Sequence, residues 1–98
     1  MSIPETSFDL HDLYRIIYDR KEHPKEDSYT CQLFSKGEDE ILKKLGEEAV
    51  EVILAAKAQG DKRLIEELSD LAYHTLVLLV QRGLTIEDIH AELANRHR

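Results

Sequence analysis

Read for the spacing of its apolar positions, the chain divides into helices. Leu10, Leu13, Tyr14, Ile17 and Tyr18 recur at helical spacing after a Thr6/Asp9 capping pair, which predicts a first helix over about 8–21. His23 to Ser28 shows no period and contains Pro24, so it reads as a linker. The segment Tyr29 to Ser35 declares neither helix nor strand. Ser35 and Glu38 then have capping-box spacing, and Ile41, Leu42, Leu45, Ala49, Val52, Ile53 and Ala56 keep an apolar face up to Gly60, giving a long helix over about 36–59. Asp61 is placed to cap a third helix, about 62–82, with Leu64, Leu68, Leu71, Ala72, Leu76 and Leu79 as its stripe and Gly83 as its stop. Thr85 and Asp88 repeat the capping spacing ahead of a short helix over about 86–96, marked by Ile86, Ile89 and Leu93. The short Gly60-Asp61 junction makes the second and third helices antiparallel neighbours, so the expected fold is all-α, an antiparallel helical bundle in a single domain spanning 1–98.

Composition narrows what such a bundle does. The chain is 42% hydrophobic and 34% charged, too apolar for disorder, and has no run of 18 apolar residues that would cross a membrane. Without a signal-peptide pattern at its start it reads as cytoplasmic, with no membrane partner. A formal net charge of -7 and no basic stripe argue against nucleic acid as a partner. Cys31 is the one cysteine, so neither an internal disulfide nor a cysteine-rich zinc site is expected. A phosphorylated small molecule remains compatible with this acidity if metal cations bring the negative charges together.

The candidate chemistry lies on the second and third predicted helices. Glu48 and Glu51 on one, Glu67 and Asp70 on the other, are acid pairs three residues apart, each able to reach a common point. At 100° per residue, Glu48 falls roughly 20° from Ile41 and roughly 40° from Val52, on the margin of the apolar stripe. Carboxylates converging there repel one another unless cations sit among them, and hard oxygen ligands without cysteine or a zinc-type histidine signature select Mg²⁺, with Mn²⁺ as a substitute. Lys44 shares the 44, 48, 51 stripe and is a candidate phosphate clamp. His74, one turn after Asp70, reads as a packing residue or one that orients a ligand. Lys36 and Gly37 open the second predicted helix and offer a weak anion-binding signal; such a step is more often a plain turn.

Glu47-Glu48-x-x-Glu51 followed by Glu67-x-x-Asp70 resembles the two acidic motifs of the all-alpha nucleoside triphosphate pyrophosphatases. Within that superfamily, Lys43 to Glu51, Asp70 to His74, Ser28-Tyr29-Thr30, Leu33 to Gly37 and Leu84 to Arg96 resemble the phosphoribosyl-ATP pyrophosphatase branch over about residues 28–98. The resemblance implies Mg²⁺-dependent hydrolysis of phosphoribosyl-ATP to phosphoribosyl-AMP and pyrophosphate, in histidine biosynthesis. It implies Glu48, Glu51, Glu67 and Asp70 as Mg²⁺ ligands, with Glu47 as a helper or possible ligand; Glu47, Glu48 and Lys44 are the candidate catalytic residues, and Lys44, Lys36, Tyr29 and Thr30 the candidate substrate contacts. The zinc motifs of the cyclohydrolase to which this activity is fused in some organisms are absent, so one activity is expected.

Two other readings stand beside it. A house-cleaning pyrophosphatase of free or damaged nucleotides would use the same acids and metals. A non-catalytic helical dimerisation module would need no metal at all. Leu76 to Val80 offers no polar face, which predicts an exposed patch at Val77 or Val80 and a homodimer or larger homo-oligomer to cover it, a state the resembled family shares.

Overall fold

The computed structural model describes residues 7–98, among which five helices and no strand are found. Helix α1 runs Leu10–Glu22 and is capped by Asp9, whose carboxylate accepts from the Asp12 amide while Asp12 reciprocates. The capping box therefore uses Asp9 and Asp12; Thr6, the expected cap, lies outside the described residues.

Helix α2, Tyr29–Lys36, occupies the segment whose type the sequence left open. Its cap is the Ser28 hydroxyl, accepting from the Cys31 amide at 3.2 Å. Cys31 is half-buried and ties the linker down: its thiol donates to the Arg20 carbonyl and accepts from the Lys25 amide. Gly37, at φ 98°, then separates α2 from α3, Glu38–Ala58. That backbone suits glycine alone and breaks one predicted helix start into two elements. The expected Ser35/Glu38 cap is consequently not formed; Ser35 is inside α2 and α3 begins with no side-chain cap.

Only Gln59 separates α3 from α4, Gly60–Gln81, and Asp61 sits in the first turn of α4 rather than capping it. The two form the antiparallel hairpin at the centre of the molecule. Helix α4 ends as its glycine demands: Gly83, at φ 70°, donates to the Val80 carbonyl and Leu84 to that of Leu79, closing a Schellman motif. Helix α5, Ile86–Arg96, starts at the expected Thr85/Asp88 capping box.

Ile17, Leu33, Ile41, Leu76, Val77, Leu79, Val80 and Ile86 form one core drawn from all five helices. Full burial of side chains of this size contributes about 1.5–3 kcal/mol each. Val77 is 0% and Val80 4% exposed, because α1 packs across α4 and brings Ile17 and Tyr14 against this run. The solvent-facing patch predicted at Val77 or Val80 is therefore absent from the single chain.

The apolar surface lies elsewhere. On α3, Ile41 and Ala55 are buried whereas Leu42, Ala49, Val50, Ile53, Leu54 and Ala56 are exposed. The predicted stripe thus splits: Ile41, Leu45 and Val52 turn toward α4 and the rest turn outward. The α3 face turned inward carries Lys44, Glu48 and Glu51, each partly covered. This rotation puts the acids, rather than the second half of the stripe, at the helix interface.

Candidate active site

The two acidic segments face one another across the α3–α4 hairpin. Glu47, Glu48 and Glu51 from α3 and Glu67 and Asp70 from α4 line one open cleft of about 430 Å³, together with Arg63. Glu48, Glu67 and Asp70 each offer a carboxylate oxygen within 4.8 Å of the others. Glu51 lines the cleft outside that tight trio, and Glu47 stands on its rim, paired with the Lys44 ammonium at 3.3 Å.

Burial and mutual repulsion leave a mark on Glu48. Desolvation chiefly, then its hydrogen bond with Glu67 and the charge of Asp70, push its carboxyl above the usual carboxylate range. Glu67 is only 3% exposed, and among the described residues its ionic partner is the Arg63 guanidinium, at 2.6 Å. Arg63 also reaches Glu66 at 3.0 Å. Its place at the acids was missed in the sequence, although Arg63 and Glu67 stand four residues apart, the spacing of a helical ion pair.

A second layer backs the cluster. His74, 5% exposed, meets the Asp70 backbone carbonyl through Nδ1 at 2.8 Å. A carbonyl only accepts, so Nδ1 carries the proton and, in the neutral ring, Nε2 accepts from the Tyr29 hydroxyl at 3.2 Å. Tyr73 packs edge-on to His74 and its hydroxyl is hydrogen-bonded to Thr30. His74 thus sits buried one turn from Asp70, bonded to its main chain rather than to its carboxylate.

The expected substrate contacts divide. Tyr29 does not line the cleft but reaches His74 behind it, and burial raises its phenol pKa, opposed by the nearby Lys44 charge. Thr30 points to Tyr73 rather than into the cleft. Lys36 is the last residue of α2, not the opening of α3, and lines a separate depression with Pro24, Ser28, Cys31 and Gln32. Lys36 therefore does not stand at the N-terminus of α3, which opens at Gly37. Lys44 and Arg63 are the cations beside the acids.

Fold and site together define an all-α protein in which carboxylates from two antiparallel helices line one cleft. Residues 10–97 match the phosphoribosyl-ATP pyrophosphohydrolase family, and the chain belongs to that family. It is 53% identical to the phosphoribosyl-ATP pyrophosphatase of Pelotomaculum thermopropionicum over 91% of each chain. With the phosphoribosyl-ATP pyrophosphatase of Limosilactobacillus fermentum it shares 56% identity over 90% of this chain and 83% of the relative. A histidine biosynthesis bifunctional protein of Oceanobacillus iheyensis is 58% identical over 83% of this chain, which spans 38% of that longer protein.

Proposed function

We propose that the chain hydrolyses phosphoribosyl-ATP to phosphoribosyl-AMP and pyrophosphate, a step of histidine biosynthesis in the cytoplasm, using Mg²⁺ held by Glu48, Glu51, Glu67 and Asp70. The observation that carries the reading is the meeting of Glu48, Glu67 and Asp70 at an open cleft, in a chain of this family. The donor set fits a hard cation: every candidate ligand is a carboxylate oxygen, and Glu48, Glu67 and Asp70 bring theirs within 4.8 Å of one another. Mn²⁺ would be accepted by the same oxygens.

Bound there, Mg²⁺ supplies charge neutralisation for the polyphosphate and acidifies water at the site. The rest falls to the chain. Lys44 and Arg63, exchanging Glu47 and Glu67 for phosphate oxygens, hold the triphosphate. Glu47 on the rim, or Glu48 beside it, accepts the proton of the attacking water. His74, fixed by Tyr29, steadies the α4 backbone at Asp70.

The assay is product analysis with phosphoribosyl-ATP, Mg²⁺ and a panel of nucleoside triphosphates. Pyrophosphate and phosphoribosyl-AMP are the expected products, with ATP and deoxynucleotides turned over far less well. Faster turnover of a deoxynucleotide triphosphate would replace this reading with that of a house-cleaning pyrophosphatase, and orthophosphate as first product would overturn both.

The working unit is a homo-oligomer. Supporting this, large exposed hydrophobics outnumber buried ones among the described residues, with Leu42, Val50, Ile53 and Leu54 along the outer face of α3.

A further inference from the structure

Outside the acid cleft, a second group of ligating side chains gathers where α1 meets α5. His11, in the first turn of α1, directs Nε2 to a Glu87 carboxylate oxygen at 2.8 Å. His90 follows Glu87 by three residues on α5, so both project from one side of that helix. Its ring lies edge-on to that of His11, with centroids 5.8 Å apart. One ligand atom from each of His11, Glu87 and His90 lies within 4.8 Å of the other two.

The donor types differ from those of the cleft. Two imidazole nitrogens and one carboxylate suit a borderline transition-metal ion, whereas an all-oxygen set suits Mg²⁺. Bond lengths of about 2.0–2.2 Å would draw the three atoms around one ion after small side-chain rotations. His11 is half-buried and Glu87 and His90 are exposed, so an ion reaches them without opening the core.

The position gives such an ion a task. Helix α5 buries Ile86 and no later residue. Its region is joined to α1 by the Tyr14 hydroxyl donating to the Leu84 carbonyl at 2.7 Å and by the His11–Glu87 pair. An exposed ion pair of this kind contributes little. A shared metal would replace it with bonds anchoring both helices.

We propose that His11, Glu87 and His90 form a binding site for a divalent transition-metal ion, of which Zn²⁺ is the type, that clasps α5 to α1. It needs nothing from the chemistry of the acid cleft. The test is calorimetric titration of the tag-free, chelator-treated full chain with Zn²⁺ in excess Mg²⁺, paired with thermal unfolding. One ion per chain should bind and raise the midpoint. His11→Ala and His90→Ala should each weaken binding by about tenfold or more and remove the thermal shift, while Glu48→Gln, in the acid cleft, should leave both intact. On the unmodified chain, Zn²⁺ should shift or broaden the imidazole proton resonances of His11 and His90 selectively, which guards against a variant that misfolds. Absence of binding, binding unaltered in both histidine variants, binding lost in Glu48→Gln, or undisturbed His11 and His90 resonances would each overturn the site.

Discussion

Glu48 concentrates the electrostatic conflict of the site in one side chain. Its folded-state pKa lies above the ordinary value of 4.5, so the folded chain holds its proton where the unfolded chain has released it. The corresponding stability is fully present below pH 4.5 and is lost as pH rises through the elevated folded value. Metal-free Glu48→Gln should therefore unfold at a higher temperature than the unmodified chain near neutral pH, with the gap closing toward acid; thermal scans in chelator check it. A gap that widened on acidification would contradict the assigned direction. The same substitution, and Asp70→Asn, should lower turnover by about two orders of magnitude or more, because each removes a charge facing several kcal/mol of metal and phosphate interaction. Near-normal turnover at saturating Mg²⁺ in either variant would strike that residue from the ligand set. Arg63 acts in the opposite sense. Arg63→Ala leaves the buried Glu67 carboxylate without its cation, so the metal-free chain should lose stability and Mg²⁺ should restore more of it than in the unmodified chain. Equal Mg²⁺-induced shifts in the two proteins would count against a shared place at Glu67.

At the scale of elements, what was legible followed from local chemistry. The Thr85/Asp88 box and the Gly83 stop are decided within a few residues, and α5 begins and α4 ends where those residues require. Gly83→Ala should accordingly cost about 1 kcal/mol, since φ 70° is a strained backbone for alanine and the added methyl meets nothing within 4 Å; denaturant unfolding reads the loss. A neutral or stabilising effect would mean that the turn relaxes. Helix α2 escaped notice because eight residues show barely two turns of pattern, and because the Gly37 φ that divides α2 from α3 is invisible in a list of residue types. The acid pairs were legible for the reason that served α5: a spacing of three fixes a shared direction on a helix. The rotation of α3 was not. Ile41, Leu45, Val52 and Leu42, Ala49, Ile53 lie in one wide apolar arc, and period alone cannot say which half packs within the chain when the acids claim part of the interface.

The whole molecule is too open for its length. Its radius of gyration is 14.9 Å, against about 12–13 Å for a compact chain of this size. Its accessible surface is 7304 Å², against about 5,700 Å² for a folded monomer of this mass. The mismatch coincides with the exposed Leu42, Val50, Ile53 and Leu54 on α3 and Ile65 on α4, apolar side chains that soluble monomers seldom leave together in water. A second copy against this outer face would cover them with the two-fold symmetry commonest among homo-oligomers, and would leave the inward acid face of each hairpin in place. The location of the patch separates two substitutions that look alike in the sequence. Ile53→Glu, on a side chain 61% exposed, should lower the mass in light scattering while the helical circular-dichroism signal persists. Val77→Glu, on a side chain 0% exposed, buries a charge in the core of one chain and should abolish folding rather than assembly. A mass near 11.3 kDa for the unmodified chain at micromolar concentration, with full activity, would rule the oligomer out. If instead the chain is oligomeric and Ile53→Glu leaves its mass unchanged, the copies meet through another surface, and the apolar groove that Leu10, Leu68, Ile89 and Leu93 line between α4 and α5 is the next face to charge.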